Sequence, residues 1–552
     1  MPLPFPRSVT LTCGGGESDP EGGYDCSGLV YYTLRTVLGY PMMRVADDQA
    51  RDRRYSRVPR GQLLPGDPVF FYGTNTGSES SYINHAGLYV GRGLFVHSTG
   101  SNSGVSLNSL TGYWGDSFAW GTRVIGESEP ETFDTYILLA NSSAEAARAS
   151  LTYMLPSGQY CQETRELAPY SRTTVKVDDI LYNQEVSTTV RTSGGRVVAE
   201  RAMYFRYRGK YPGGHAAVGV PTPGTEWYLP EGCTAGGFDT FIVMQNPGDG
   251  PASALLTFMT AEGEVIEHST VVGPLSRYTV AVDDLPGMES QEFSTMVTAD
   301  RPIVAERAMY FDHNGIQGGH NSPGSPVTRN EWYFSEGYTG NGFETYIQVM
   351  NPLEINVPVT ITLMDPRGKV KDIGFVMKPR SRRTLAVDRV KGWENREFSV
   401  KVNAGEAGIV AERSMYFDYG GITGGHAALG NPGTATEWMF AEGYTAQEFD
   451  TYITMGNPGE KEAVVDARFM LLGGQFVDIT FLVPPGSRFT IPVDLQKGLE
   501  EVEVSALLKS SVPIVAERSM YFSYGELTGG SCVPGVTAVS GTWHFAEGYT
   551  GR

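Results

Sequence analysis

From residue 127 onward the chain repeats itself, and a reading that misses the period misplaces every element after it. An aromatic–acidic motif recurs as Phe133-Asp134-Thr135-Tyr136, Phe238-Asp239-Thr240-Phe241, Phe343-Glu344-Thr345-Tyr346 and Phe449-Asp450-Thr451-Tyr452. Val-Ala-Glu-Arg, followed by Met-Tyr-Phe, recurs around Glu200, Glu306, Glu412 and Glu517, and Trp227, Trp332, Trp438 and Trp543 open successive units. Each series steps by 105 or 106 residues. Strand-length apolar or alternating runs lie between turn signals such as Asn246-Pro247-Gly248 and Asn457-Pro458-Gly459, and no long helical period is present. A unit of this length built of many short strands has the size and pattern of a β-sandwich. The spacing predicts four of them, over 127–223, 224–328, 329–434 and 435–540. Residues 541–552 read as the start of a truncated fifth repeat, and both ends of the chain read as cut. The acidic, Pro-containing stretch Glu127–Glu131 marks the boundary with a different domain over 1–126.

Charge separates the two regions as well. The chain carries 43 Lys plus Arg against 62 Asp plus Glu, a net charge of −19, while residues 1–126 hold equal numbers of acidic and basic side chains. The repeats therefore carry the whole excess, which argues against nucleic acid or anionic lipid as their partner. No run approaches the ~18 apolar residues of a membrane span, and the N-terminus lacks the apolar core of a signal peptide. The five cysteines, Cys13, Cys26, Cys161, Cys233 and Cys532, are too scattered to predict a disulfide framework. Cys13 and Cys26 are expected to stay unpaired.

The chemistry of residues 1–126 centres on Tyr24-Asp25-Cys26-Ser27-Gly28-Leu29-Val30-Tyr31-Tyr32. A Gly-rich loop ends at the cysteine, and Leu29, Val30, Leu34, Val37 and Leu38 continue at helical spacing, with Asp25 and Ser27 placed to cap the helix. Cys26 at a helix N-terminus would favour the thiolate, the nucleophilic form. Alone, the stretch fits a buried inert cysteine equally well.

Two histidines downstream decide between these. Pro65-Gly66-Asp67 launches a buried strand, Val69-Phe70-Phe71-Tyr72. Ile83–Val90 and Leu94–Ser98, joined across Gly91-Arg92-Gly93, read as a β-hairpin. The hairpin sets His85 near the start of one strand and His97 near the end of its partner. These are the only two histidines in the first 126 residues. A helix-start Cys, then a strand His, then a polar residue on the next strand is the layout of a papain-like site: nucleophile, general base and orienting third member.

On these blocks, together with Val96-His97-Ser98, Tyr113-Trp114 and Arg123-Val124-Ile125, residues 9–126 resemble the NlpC-type cell-wall cysteine peptidases. The resemblance implies an α+β papain-like fold and cleavage of peptidoglycan stem peptides without metal or organic cofactor. It implies Cys26 as nucleophile, His85 as general base and His97 as orienting residue. It further implies that Tyr24 and Ser27 line the substrate cleft and that the Cys26 backbone N–H helps stabilise the oxyanion.

The repeats carry weaker signals. Gly-Gly-His recurs at His215, His320 and His426, with Ser531 in the last unit. No Cys/His cluster accompanies it, so a structural role is expected and no metal site. The recurrent Asp134, Asp239, Glu344 and Asp450 are read as caps, turns or partners of the recurrent Arg201, Arg307, Arg413 and Arg518, in preference to calcium ligands. The units resemble extracellular bacterial repeats of unknown function. The whole is thus expected to be a multidomain, secreted or surface-attached enzyme: a cysteine peptidase domain, then tandem all-β, Ig-like sandwich repeats acting as a stalk or as a module for a cell-wall polymer or surface ligand. Two other readings fit the same residues: an adhesin or structural surface protein with a degenerate peptidase domain, and an amidase or acyltransferase acting on a non-wall substrate.

Overall fold

The computed structural model describes residues 12–14, 25–40, 42–52, 54–73, 82–98, 104–125 and 131–551. They form two compact units. One comprises Glu17–Phe133, Phe205–Lys210 and Thr550–Arg552; the other comprises Met1–Gly16, Asp134–Tyr204 and Tyr211–Tyr549. Most of the Glu127–Glu131 boundary and of the glycine-rich loop lies outside the described residues.

The first unit is α+β. Helix α1 (Cys26–Tyr31) continues as a π-helical segment over Tyr32–Val37, and α2 (Ala46–Arg51) comes next. The strands β1 (Ser56–Val58), β2 (Pro68–Tyr72), β3 (Ile83–Gly91), β4 (Leu94–Ser98), β5 (Val105–Ser109) and β6 (Phe118–Arg123) make one antiparallel sheet in the order β1-β6-β2-β3-β4-β5, with α3 (Tyr113–Asp116) between the last two in sequence. Central β2 reads as an unbroken apolar run because both its faces are covered. Phe70 packs with Val30 and Leu34 of the α1 side, and Val69 and Phe71 pack with Phe95 and Leu110 opposite. The β3–β4 hairpin turns on Arg92 and Gly93, at φ 55° and 77°, the two left-handed residues of a type I′ turn. Gly87 of β3 has its own reason to lack a side chain: a Cβ there would stand 2.7 Å from the Phe95 ring and from the Val96 carbonyl oxygen.

In the second unit each repeat is a sandwich of two antiparallel sheets, as the period predicts. In the second repeat, Gly224–Leu229 and Ala252–Thr260 pair with the first half of the long strand Phe293–His313, and Val265–Val272 pairs with the outer side of Ala252–Thr260. Its second half pairs with Phe238–Asn246 and Ile316–Pro323 in the other sheet, beyond which lies Ser276–Ala281. The Asn of each Asn-Pro-Gly-like turn is buried as a staple: Asn246 Nδ2 donates to Gly250 and Val272 carbonyls, and Asn457 Nδ2 to Lys461 and Val483 carbonyls.

Two expectations change here. Residues 541–552 open no fifth sandwich among the described residues. Thr542–Phe545 pairs instead with Ser187–Ser193 of the first repeat, with Trp543 opposite Val190. That is the place Trp227 holds opposite Val297, Trp332 opposite Val402 and Trp438 opposite Leu508. The first repeat lacks a Trp strand of its own and takes this one. The repeats, moreover, do not run as an extended string. The strands Tyr211–Val218, Ile316–Pro323, Ile422–Leu429 and Leu527–Pro534 lie side by side, the last against the first, so the four sandwiches close into a ring. Their Gly-Gly pairs sit where these strands meet; a Cβ on Gly424 would stand 3.0 Å from the Cα of Gly529.

The recurrent arginines also find different partners from those expected. Arg201 pairs with Glu306 at 2.7 Å, Arg307 with Glu412 at 2.8 Å and Arg413 with Glu517 at 2.9 Å. Arg518 returns to Glu200 at 2.6 Å. Each arginine thus reaches the Val-Ala-Glu-Arg glutamate of the next repeat, and the last reaches the first. All eight side chains are buried, where losing one partner of a pair costs far more than at a surface. The recurrent acids lie elsewhere: Asp134 meets Lys176, and Glu344 meets His313. His215, His320 and His426 are buried on the central strands, and among the described residues no group of His, Cys, Asp and Glu is placed to hold a metal ion.

The cysteines depart from expectation at one point. Cys26, Cys233 and Cys532 are free thiols, whereas Cys161 is disulfide-bonded. The strand Thr12–Gly14 pairs with Tyr160–Gln162, setting Cys13 opposite Cys161 in register.

Candidate active site

Cys26 is the first residue of α1 and is partly exposed. The helix starts there because Asp25, extended at ψ 173°, accepts a hydrogen bond from the Gly28 N–H, as an N-cap does. Arg44 clamps Asp25 from outside, each Nη donating to one carboxylate oxygen at 3.0 Å. That guanidinium holds the Asp25 carboxyl below its ordinary range. Ser27 is buried, and its hydroxyl donates to Asp25 and accepts from Arg44. It therefore serves the helix start, whereas the resemblance implies a place on the cleft wall. Tyr24 lies outside the described residues.

Two side chains of α2 fix the helices to each other and to the sheet. The Gln49 side-chain amide donates to the Ser27 and Met43 carbonyls at 3.0 and 2.7 Å. Asp47 at the start of α2 accepts from the Ile83 N–H at the start of β3. The Cys26 Sγ consequently lies 4.0 Å from the carbonyl oxygen of Asn84, the residue before His85.

From His85 a chain of hydrogen bonds runs inward. His85 Nε2 meets His97 Nδ1 at 2.8 Å, and His97 Nε2 meets Asn108 Oδ1 at 3.0 Å. The amide oxygen can only accept, so His97 Nε2 carries the proton and its Nδ1 is bare. That bare nitrogen accepts from His85 Nε2–H, which leaves His85 Nδ1 as the unprotonated nitrogen. Asn108 thus sets the tautomer of both rings. Aromatic side chains enclose them: Trp114 stacks on His85 with centroids 5.0 Å apart, and Phe95 on His97 at 4.7 Å. His97 is fully buried. Desolvation, with the charge of His97 second, pushes the His85 pKa down to about 4; desolvation lowers that of His97 too, opposed by the bond to Asn108. At neutral pH His85 is an uncharged base.

The arrangement can move a proton off a thiol and hold the acceptor ring in one orientation. Cys26 thus lies against the residue before His85, and His85 against His97. Asn108 is an addition: it lies one residue past the apolar run Val105-Ser106-Leu107. Its removal has a defined consequence. Asn108→Ala should lower kcat roughly tenfold, the worth of one hydrogen bond of about 1–1.5 kcal/mol, and leave KM unchanged. Steady-state kinetics separates the two, and a rise in KM alone would assign Asn108 to substrate binding.

Comparison with known proteins adds to this geometry. The NlpC/P60 family model matches residues 11–123, and the model of a family of unknown function, DUF5719, matches residues 122–315 and 326–526. Murein DD-endopeptidase MepH of Escherichia coli is 33% identical over 111 residues, 20% of this chain and 40% of that protein. The bifunctional muramidase/DL-endopeptidase CwlT of Bacillus subtilis is 37% identical over 102 residues, 18% of this chain and 29% of that protein. The chain thus spans less than half the length of either relative. Among solved structures, the NlpC/p60 domain of the peptidoglycan hydrolase SagA aligns at 20% identity over 20% of this chain and 82% of that one, with a TM-score of 0.16.

Proposed function

Since the chain belongs to the DUF5719 family and carries an NlpC/P60 domain at its N-terminus, we propose that this domain is a cysteine endopeptidase that cuts peptidoglycan stem peptides. The observation that carries the reading is the relay from His85 through His97 to Asn108, next to a helix-start cysteine. Cys26 Sγ attacks the scissile carbonyl while His85 Nδ1 takes its proton. The Cys26 backbone N–H, at the helix start, stabilises the oxyanion that forms. His85 then protonates the departing amine, leaving an acyl group on Cys26, and activates the water that releases it. His97 holds the His85 ring throughout. Relatives that are murein endopeptidases support peptidoglycan as the substrate, and with it a place in the bacterial envelope. The ring of sandwiches serves as a module for a wall polymer or surface ligand.

The pH profile tests the base directly. Below its pKa His85 holds a proton and cannot take that of the thiol, so activity falls as the pH drops through that value. With the pKa pushed down to about 4, the acid limb of kcat/KM for muropeptide cleavage should lie near 4. A limb at the ordinary histidine value near 6.5 would remove His85 from the role of buried base.

A further inference from the structure

Glu231, Glu336, Glu442 and Glu547 occupy equivalent buried places, each at a junction between adjacent sandwiches. Three of them accept from a hydroxyl: Glu231 from Ser414, Glu336 from Ser519 at 3.3 Å and Glu547 from Tyr310 at 3.5 Å. Glu442 does not. Ala202 stands where the third and fourth repeats have Ser414 and Ser519. The Glu442 side chain keeps one hydrogen bond, from Arg518 to Oε2 at 3.2 Å, and among the described residues Oε1 has no donor.

A cavity of about 240 Å³ opens at this junction, between the first and fourth repeats, lined by Glu442, Ala202, Arg172 and the rings of Tyr204, Tyr444 and Tyr524. Arg172 is 5% exposed. Its Nη atoms donate to the Gly443 carbonyl at 2.7 Å and to Thr174 Oγ1 at 3.0 Å, and its buried Nε–H has no acceptor, a feature Arg277 and Arg382 share at their junctions. Tyr524, 41% exposed, forms the solvent edge.

The cavity thus joins a carboxylate oxygen without a donor to aromatic walls. A sugar hydroxyl both donates and accepts, and the C–H face of a sugar ring packs on aromatic rings, as apolar surface does. The volume lies below the roughly 300 Å³ lower end for drug-sized ligands, which suits one ring. The charges at the cavity answer one another, Arg172 with Glu503 and Arg518 with Glu442, each at 3.2 Å, which leaves no unpaired charge for an ionic ligand, so the ring is neutral. We propose that this cleft binds one neutral sugar residue of a polysaccharide, with a hydroxyl donating to Glu442. The inference rests on the reading of the ring as a binding module, not on the peptidase.

The test applies the full chain, carrying its own Ala202, to an array of neutral glycans, with saturation-transfer NMR on any glycan retained. Ala202→Ser supplies the hydroxyl that two sister junctions already have, so it is compatible with the fold, and it closes the cleft from within. Retention of a neutral glycan that Ala202→Ser weakens roughly tenfold or more, with muropeptide cleavage unchanged, is the expected result. No retention at millimolar glycan overturns the proposal, as does binding that both Ala202→Ser and Tyr444→Ala leave intact. Cell walls retained by a chain that binds no neutral glycan would overturn this cleft and leave wall binding by the ring standing.

Discussion

Replacing Cys26 with alanine is expected to abolish cleavage of muropeptides, by roughly 10⁴-fold or more, since the nucleophile and its base act as a unit. The side chain is small, partly exposed and makes one long contact, to the Asn84 carbonyl oxygen. The variant should therefore keep the wild-type circular dichroism spectrum and unfolding midpoint. The cap at Asp25, the Arg44 clamp and the Gln49 bridge remain in place without the sulfur. Digests of purified muropeptides, analysed by mass spectrometry, read the outcome. Cleavage that persists in Cys26→Ala would place the nucleophile elsewhere or make the N-terminal domain a bystander to an activity of other origin.

The second large effect belongs to the far end of the chain. Deleting residues 541–552 removes Trp543 and Phe545, both buried in the first sandwich, and takes Glu547 from Arg201. Trp543 Nε1 also donates to the Val197 carbonyl, as Trp332 Nε1 does to that of Ile409. Truncating one such tryptophan to alanine costs about 3–5 kcal/mol, a large part of the roughly 5–15 kcal/mol that holds a domain folded. Trp543→Ala should lower the urea midpoint accordingly, and the deletion should expose the first sandwich to proteolysis while the second and third resist. A remnant of an unfinished repeat would behave otherwise, since its loss would leave both the midpoint and the proteolytic pattern unchanged.

The sequence reveals the units but not their joinery. The period of 105 or 106 residues and the alternating runs specify sandwiches, because strand patterning is local and each repeat restates it. Pairing between distant strands is not local. Nothing in Trp543 distinguishes the first strand of a further repeat from the missing strand of the first. Glu200 and Arg201 illustrate the same limit. Adjacent residues of a strand face opposite ways, so they cannot pair with each other, and the letters do not say that one looks back to Arg518 and the other ahead to Glu306. At the candidate site, Cys26, His85 and His97 are legible because their residue types are rare in that domain and fall on elements with clear boundaries. Asn108 is hidden because an asparagine at the end of a short strand reads as solvent-facing. Only its bond to the buried His97 ties it to the site.

The return of Thr542–Phe545 to Ser187–Ser193 also sets an order of events during synthesis. In a linear array each module can finish folding as it leaves the ribosome, and a shortened message yields a shorter but sound product. Here the Thr189 hydroxyl meets the imidazole of His544 at a sequence separation of 355. Of these four sandwiches the first in sequence is therefore completed only when Thr542–Phe545 arrives, and until then it waits with an open edge and an uncovered core. Until then that edge is a docking place for any matching strand, including Thr542–Phe545 from a neighbouring copy. Dilute refolding should favour closure within one chain, and crowded synthesis on polysomes should favour exchange between chains.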